Sequence, residues 1–412
     1  MISSFKSVHF FLYFPFFHVK KRKFYKWFRK LLLSLLHIDQ GKEIRLAVIS
    51  KKDLFLQDEN IYFQEFVDKN GNEYGLRFGE PKDAISISKI FREIYDYQYV
   101  DPLVYDINFL KKELSKKNNL WFVGELKENK EFAGTGELKI NRYIASASKG
   151  MTRKKFQGQG ITTKIGAAGI ITVTKMPQFK NVLRLDCDCR APQVRSQKLL
   201  NNSGAIVYGL IPAFNNFGDK RRYKIENNTP FPPEREEAAF LYSIPFKGLW
   251  SKREKKIYLL DNEDFVFFHD YIKSQTKKMN NDIVILENGK KNKGFEIYGV
   301  SKDYYNGHVQ MYGSIKEKSL NHLIKTYSKW RIILWRIPTT QNGIHSMTLA
   351  LEKGFNIVGY DVGFNSMKSK LFDSVILAYY PKGGSNAFEV NYLEENKPLF
   401  NKIREIFYSR VN

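Results

Sequence analysis

Cysteine is scarce in this sequence: the 412 residues hold two, Cys187 and Cys189, separated by one position. With no other thiol to pair with, a disulfide framework is excluded, which fits a reducing compartment and gives cytoplasm as the expected location. A lone C-x-C also lacks the two further ligands that tetrahedral zinc needs, and His308, His322 and His345 fall at no ligand spacing, so no metal is expected. Acidic residues are in deficit, with 43 Asp+Glu against 67 Lys+Arg and a net charge of +24. That balance favours an anionic partner such as a nucleic acid, a membrane surface, a phosphorylated cofactor or an acidic protein, unless the lysines are simply solvated. No RNA-recognition or DNA-reading module is present, which leaves nucleic acid the weakest of these.

A bilayer-spanning run is missing at the N-terminus. The apolar stretch "HFFLYFPFF" (His9 to Phe17) is shorter than the about 20 residues a span needs, and its basic residues follow it where a cleavable signal carries them in front. Next, "KKRKFYKWFRKLLLSLLHI" puts Phe24, Trp27, Phe28, Leu31, Leu32 and Leu35 on one helical face, with Lys26, Arg29 and Lys30 largely opposite. This basic aromatic segment, residues 1–42, reads as a helix able to rest on anionic lipid at the inner membrane face, as a helix packed on the body, or as a leader without fixed structure.

The length is about twice that of one domain, and 43% hydrophobic residues can fill two cores. From Glu73 the pattern is regular. "EYGLRFGEPKDAISISKIFREIY" reads as a strand, a turn, and a helix with Ile85, Ile87, Ile90, Phe91 and Ile94 inward. "LWFVGELKENKEFAGTGELKI" reads as a β-hairpin, and "YIASASKGMT" as a further strand. A helix is predicted over Ile161 to Thr174, then a strand "NVLRLDC", a helix "APQVRSQKLLNNSGA" closed by Gly204, and the strands "IVYGLIPAF" and "AAFLYSIPF". The fold class is a mixed, mostly antiparallel α/β sheet flanked by helices.

Shifting Val182 to Gly204 by 150 positions lays "VLRLDC" on "IILWRI", Ser196 on Ser346, Leu199 on Leu349 and Gly204 on Gly354. The same order of elements twice predicts a fold duplicated in tandem. The expected units are residues 43–250, residues 251–385 and a C-terminal helix in 386–412, with a linker in "KGLWSKREKK" (Lys247 to Lys256).

Between the strand "YIASASKGMT" and the helix at Ile161 lies "KKFQGQG". Gly158 and Gly160 allow positive φ and leave no Cβ between backbone and ligand, so successive N–H groups can converge on an anion. A helix opening at Ile161 adds unpaired donors and the positive end of its dipole, which suits a pyrophosphate. A nucleoside-triphosphate loop would need Gly-Lys-Ser/Thr where Gly160-Ile161-Thr162 stands. A dinucleotide fingerprint would need glycine at Thr163. The second half reads "QMYGSIKEKSLNHLIKTYSKW" at the corresponding place and has no G-x-G, so no pyrophosphate is expected there.

The run "KKFQGQGIT", a helix, "VLRLDC" and "SQKLLNNSGA" resembles the GCN5-related N-acetyltransferase (GNAT) superfamily over about Glu73 to Phe246, with a degenerate echo over about Lys256 to Lys382. The resemblance implies an acetyl-CoA or other acyl-CoA donor, its pyrophosphate on Gln157, Gly158, Gln159, Gly160, Ile161 and Thr162. Met151, Thr152, Gln193 and Ser196 are the further cofactor contacts it implies, with the pantetheine running between the strand before the loop and that of Val182 to Cys187, which splay apart. An amine would be the acceptor, and Tyr95, Tyr97, Tyr99 and Tyr105 stand where the family builds its acceptor site, as a pocket or as packing. Lys155 replaces the family's leading Arg/Gln, Gln193 its Asn, and Leu200 the tyrosine that protonates the departing thiolate. For the general base that aminolysis needs, Glu137 is the first candidate and Asp186 the second, each readable also as a solvated or salt-bridged carboxylate. The activity implied is acyl-CoA-dependent N-acyl transfer. The missing tyrosine and the unclear base leave an alternative, an inactive GNAT-like scaffold that binds acyl-CoA, lipid or an acidic partner.

Overall fold

Among the described residues, thirteen strands form one sheet. The computed structural model describes residues 62–287, 289, 297–367, 370–383 and 389–409, so the segment 1–42 and what was expected of it lie outside the described residues. The first half contains β1 (Gln64–Val67), β2 (Glu73–Phe78), α1 (Ala84–Tyr95), α2 (Ile107–Leu114), β3 (Asn119–Leu126), β4 (Glu131–Asn141) and β5 (Ile144–Thr152). It continues with α3 (Ile161–Lys175), β6 (Arg184–Arg190), α4 (Val194–Asn202), β7 (Ile206–Phe217) and β8 (Arg235–Pro245). The second contains α5 (Lys247–Lys252), β9 (Lys256–Leu260), α6 (Glu263–Gln275), β10 (Asp282–Leu286), β11 (Ile297–Asp303), β12 (His308–Ser314) and α7 (Glu317–Thr326). It ends with β13 (Ile332–Pro338), α8 (Gln341–Glu352), β14 (Asn356–Met367), β15 (Lys370–Tyr379) and α9 (Lys397–Tyr408).

The sheet order is β1-β2-β3-β4-β5-β6-β8-β7-β14-β15-β13-β12-β11, and β9 and β10 form a separate parallel pair. Within the large sheet, β5 with β6 and β12 with β13 are parallel, and every other neighbouring pair is antiparallel. This is the mixed, mostly antiparallel sheet flanked by helices that the sequence predicts. Strand β3 is buried at seven of its eight positions, "NLWFVGEL", as befits a strand covered on both faces. Helix α3 lies close against β4 because that strand carries glycines under it: a Cβ on Gly136 would stand 2.7 Å from Ile165 Cγ2, and one on Gly134 2.8 Å from Ile161 Cγ2.

Strand and helix limits differ from expectation where tertiary pairing intervenes. Strand β6 runs on past Cys187 to Arg190 because β8 offers it a partner as far as Ala239. Ala191 still donates to Ala238, so α4 starts at Val194 and not at Ala191. Helix α1 buries Ile87, Ile90 and Phe91, but Ile85, about 200° round the helix from Ile87, is 51% exposed. The expected linker is a fixed joint: Lys247–Lys252 forms α5, Leu249 is fully buried, and buried Arg253 gives its Nε to Asp373 Oδ1 at 2.6 Å.

The halves meet where β7 and β14 cross, at the pair Gly209 and Gly359. A Cβ on Gly209 would lie 2.8 Å from the Val358 carbonyl oxygen, and one on Gly359 2.6 Å from that of Tyr208. Gly209→Ala should therefore force the crossing apart and cost about 1–3 kcal/mol in denaturant unfolding. Gly299→Ala, whose Cβ would find only an ordinary contact at 3.8 Å, is the control and should change little. An unchanged midpoint for the first variant would mean that the seam yields without strain.

Candidate active site

The β5–β6 joint is short. Three parallel register pairs hold it, Ile144 with Arg184, Ala145 with Leu185 and Ser146 with Asp186, and then the strands part. Strand β5 follows β4 onward to Thr152, bulging at Lys149 and Gly150, whereas β6 stays with β8. The result is a wedge, closed at Ser146 and Asp186 and open toward Thr152 and Arg190. Backbone on both inner edges lacks a ladder partner there, which leaves peptide groups to meet a ligand.

At the mouth of the β5 arm lies the glycine loop. Gly158 has φ +81° and Gly160 φ +80°, left-handed values that favour glycine, and Gly160 caps α3. Among the described residues no acceptor meets the backbone N–H groups from Gly158 to Thr163; the first donor of the helix to find one is Lys164, on Gly160 at 3.0 Å. Six successive donors at a helix N-terminus without an acceptor among the described residues are an arrangement able to receive an anion. The loop is fastened to the wedge by Thr152 Oγ1 and Thr162 Oγ1, 2.6 Å apart. Its flanking cations are engaged: Arg153 bonds Glu93 at 2.7 Å and Glu131 at 2.8 Å, and Lys155 bonds Glu131 at 2.5 Å.

The sequence-predicted contacts divide between the arms. Met151, buried, and Thr152 end β5; Gln157, Gly158 and Gly160 are exposed in the loop, Gln159 and Thr162 are half-buried, and Ile161 is buried against the sheet. Gln193 and Ser196 lie on the β6 arm at the start of α4, where the Gln193 carbonyl accepts from Ser196 N at 3.2 Å. Burial pushes the Cys189 thiol up to about 12, Asp188 adding to it and the Ser196 hydroxyl opposing it, and burial pushes the Cys187 thiol up as well. Neither thiol is a ready nucleophile.

The two carboxylates read as candidate bases are both committed. Glu137 accepts from Lys149 Nζ at 2.7 Å, Ser148 Oγ at 2.8 Å and Asn119 Nδ2 at 2.9 Å. Burial acts to raise its pKa, but Lys149, Ser148 and Asn119 outweigh it and hold the carboxyl below its usual range. Its contribution to stability is therefore present above the unfolded pKa and lost as pH falls through the folded one, and a depressed pKa makes it a weak base. Asp186 sits at the wedge apex and accepts from buried Arg184 Nε at 2.7 Å.

Asp188, which the sequence reading passed over, stands past the apex on the same face of β6 as Asp186. It is solvent-exposed, and no side chain among the described residues pairs with its carboxylate. Protein nevertheless surrounds it closely enough that burial pushes its pKa up, and Asp303 of the second half adds to that. The strand alternation of Asp186, Asp188 and Arg190 in "RLDCDCR" was the available signal.

Beside Asp188 the expected tyrosines form an aromatic wall. Tyr99 packs on Phe91 at 4.8 Å and Tyr95 at 4.9 Å, Tyr97 on Tyr105 at 5.1 Å, and the Tyr105 hydroxyl accepts from Tyr99 N at 3.3 Å. Tyr95 accepts from Arg190 Nη1 at 3.2 Å, and Arg190 is forked onto Glu237 at 2.8 Å through both Nε and Nη2. An open groove of about 820 Å³ along α6, lined by Phe267, Tyr271 and Pro398 among others, shares no residue with the wedge or the loop. Among the described residues no group of three or more His, Cys, Asp or Glu is placed to hold a metal ion.

No protein-family model matches the chain, and no curated protein matches it. Solved structures similar to part of it are acetyltransferases. A ribosomal-protein-S5-alanine acetyltransferase from Vibrio fischeri is 16% identical with a TM-score of 0.34, covering 44% of this chain and 97% of its own. An acetyltransferase of the GNAT family from Streptococcus pneumoniae is 15% identical with a TM-score of 0.32, over 42% and 99%. A spermidine N-acetyltransferase from Vibrio cholerae, in complex with CoA and spermine, is 18% identical with a TM-score of 0.32, over 42% and 95%. At such identities and TM-scores the chemistry has to be argued from this chain's own residues.

Proposed function

We propose that the protein is an acyl-CoA-dependent N-acyltransferase of GNAT type, with acetyl-CoA as the expected donor and Asp188 as general base. The observation that carries this reading is the wedge between β5 and β6, opening beside a helix N-terminus with six free N–H groups and two left-handed glycines. An anion on Gly158 to Thr163 and an extended thioester arm between the strands would bring the acyl carbonyl toward the apex, where β5 peptide groups can polarise it. Asp188 faces the same space from the other arm. It can take the proton of an attacking amine, with Tyr99 of the aromatic wall and Asp303 of the second half close enough to interact with it. The nitrogen forms its bond to the carbonyl carbon, the carbon–sulfur bond breaks, and the thiol, of pKa about 8.5, leaves as thiolate or takes a proton from water. With Leu200 where a tyrosine acid was expected, no protein acid is required for that step.

We also read the second half as a duplicated copy that has lost its ligand. Two features support this: Gly204 and Gly354 end α4 and α8 with the same pair of backbone bonds at positive φ, and the β12–β13 pairing stops at Arg336, the counterpart of Asp186. Its wedge is filled. Trp335 Nε1 donates to the Gly313 carbonyl at 2.8 Å, and buried Ile315 donates its N–H to Ser346 Oγ at 3.2 Å. Calorimetric titration with acetyl-CoA should therefore give one site per chain. Two sites would overturn the reading of the second half, none would overturn the acyl-CoA reading, and binding without turnover on any amine would favour the scaffold alternative.

A further inference from the structure

We infer that the second half acts as a clamp that sets the opening of the β5–β6 wedge, through Tyr143, Arg184 and the β14 segment Asp361 to Phe364; the inference rests on the acyl-CoA reading of that wedge. Both arms are tied to this one segment. On the β5 side, the Tyr143 hydroxyl donates to the Phe364 carbonyl. On the β6 side, Arg184 donates Nη1 to the Val362 carbonyl at 2.7 Å, and the same nitrogen lies 2.6 Å from Asp361 Oδ1. Its Nε holds Asp186, the last paired residue before the strands part.

The segment is itself anchored in the second half. Between Asp361 and Asn365 the register of β14 against β15 shifts, so the chain bulges toward the first half. Gly363, at φ +65°, donates its N–H to Asp373 Oδ1 at 2.9 Å, Asp361 is paired with Arg336, and the Phe364 ring stacks on Tyr312 at 5.9 Å with Arg336 Cζ 4.3 Å from the Phe364 ring centroid.

The chemistry of this seam favours geometry over stability. A joint of three parallel register pairs leaves the angle between β5 and β6 poorly specified, and parallel pairing is the weaker kind. Fully buried ion pairs such as Arg184 with Asp361 are often no more stabilising than an apolar seam of the same volume. Here even one nitrogen of the buried guanidinium, Arg184 Nη2, has no hydrogen-bond partner among the described residues. What such directional bonds supply is a fixed relation between β5, β6 and β14. Tyr143, Arg184 and Asp361 are thus positioning residues, acting on the wedge and not on the substrate.

Tyr143→Phe removes only one hydroxyl and should leave the thermal midpoint within a few degrees of the parent. We expect it to raise the dissociation constant for acetyl-CoA about tenfold and to speed amide exchange at Ala145, Ser146, Leu185 and Asp186, the joint itself. Asp361→Asn, which cuts the β6 tie, should do the same more strongly, and the double variant should be no worse than the stronger single one, because the angle is held only while both arms are tied. Ile403→Val, buried on α9 and making none of the polar contacts of the bulge, is the reference for a purely structural loss and should change neither readout. Unchanged exchange at the joint in Tyr143→Phe, or an equal effect of Ile403→Val, would overturn the clamp. Because exchange is read without ligand, a chain that binds no acetyl-CoA would sink the acyl-CoA reading and still leave the clamp decided.

Discussion

Valine at Gly158 or Gly160 is expected to abolish acetyl-CoA binding in a chain that still folds. An ideal Cβ at either position meets nothing within 4 Å, so the substitution creates no clash inside the protein. Two other effects remain. Both glycines sit near φ +80°, where a β-branched residue is strained by about 1–3 kcal/mol, and the added side chain fills the open space toward which the free N–H groups converge. The first effect lowers the thermal midpoint by a few degrees. The second removes the cradle, and a loss of at least roughly 100-fold in affinity, about 2.8 kcal/mol, should appear by calorimetry. Alanine at the same positions should fall between parent and valine. A folded valine variant with parental affinity would make the loop a structural turn and remove the central claim.

Asp188→Asn should lower the acyl-transfer rate by about 10² to 10⁴ while leaving the protein at least as stable at neutral pH. The two halves of that expectation have one cause. Burial and Asp303 raise the Asp188 pKa above its unfolded value of 3.8, so the folded state holds this proton more tightly than the unfolded state does. Stability from this group therefore falls as pH rises from 3.8 through the folded pKa. Asparagine is free of that loss. In the parent, kcat/KM should rise with pH along a limb set by the elevated Asp188 pKa, and the variant should lose that limb. Asp186→Asn behaves differently: burial raises its pKa too, but the change takes the charged partner from the Nε of buried Arg184, and that loss should lower the unfolding midpoint. Were Asp188→Asn to retain the parental rate and pH profile, the base would have to be sought elsewhere, in a water chain or the amine's own solvent.

Much of the fold is local in origin and could be read from the chain. The helix after the glycine loop is expected over Ile161 to Thr174 and runs over Ile161–Lys175. The hairpin of β3 and β4 and the strands β5, β7 and β8 follow from apolar alternation between turn residues. The glycine loop was legible for the same reason, since positive φ at Gly158 and Gly160 is a property of a few neighbouring residues. The setting of each carboxylate was not. Glu137 and Asp188 are both acids on strands, and only the fold surrounds one with Lys149, Ser148 and Asn119 and leaves the other without a side-chain partner among the described residues.

The helices, the strands, the glycine loop and the residues available for chemistry were thus readable from the chain, because periodicity, φ preference and donor placement act over a few residues along it. The tertiary structure alone decided how those parts are used. It joined thirteen strands across the contact of Gly209 with Gly359, ended the β5–β6 ladder at Ser146 and Asp186, and brought Asp361 to Phe364 against both arms of the wedge from about two hundred residues away in sequence. It also tied Asp186 to an arginine and freed Asp188. Partner choice among carboxylates depends on burial and on charges brought in from distant segments, and no local pattern of residues encodes that.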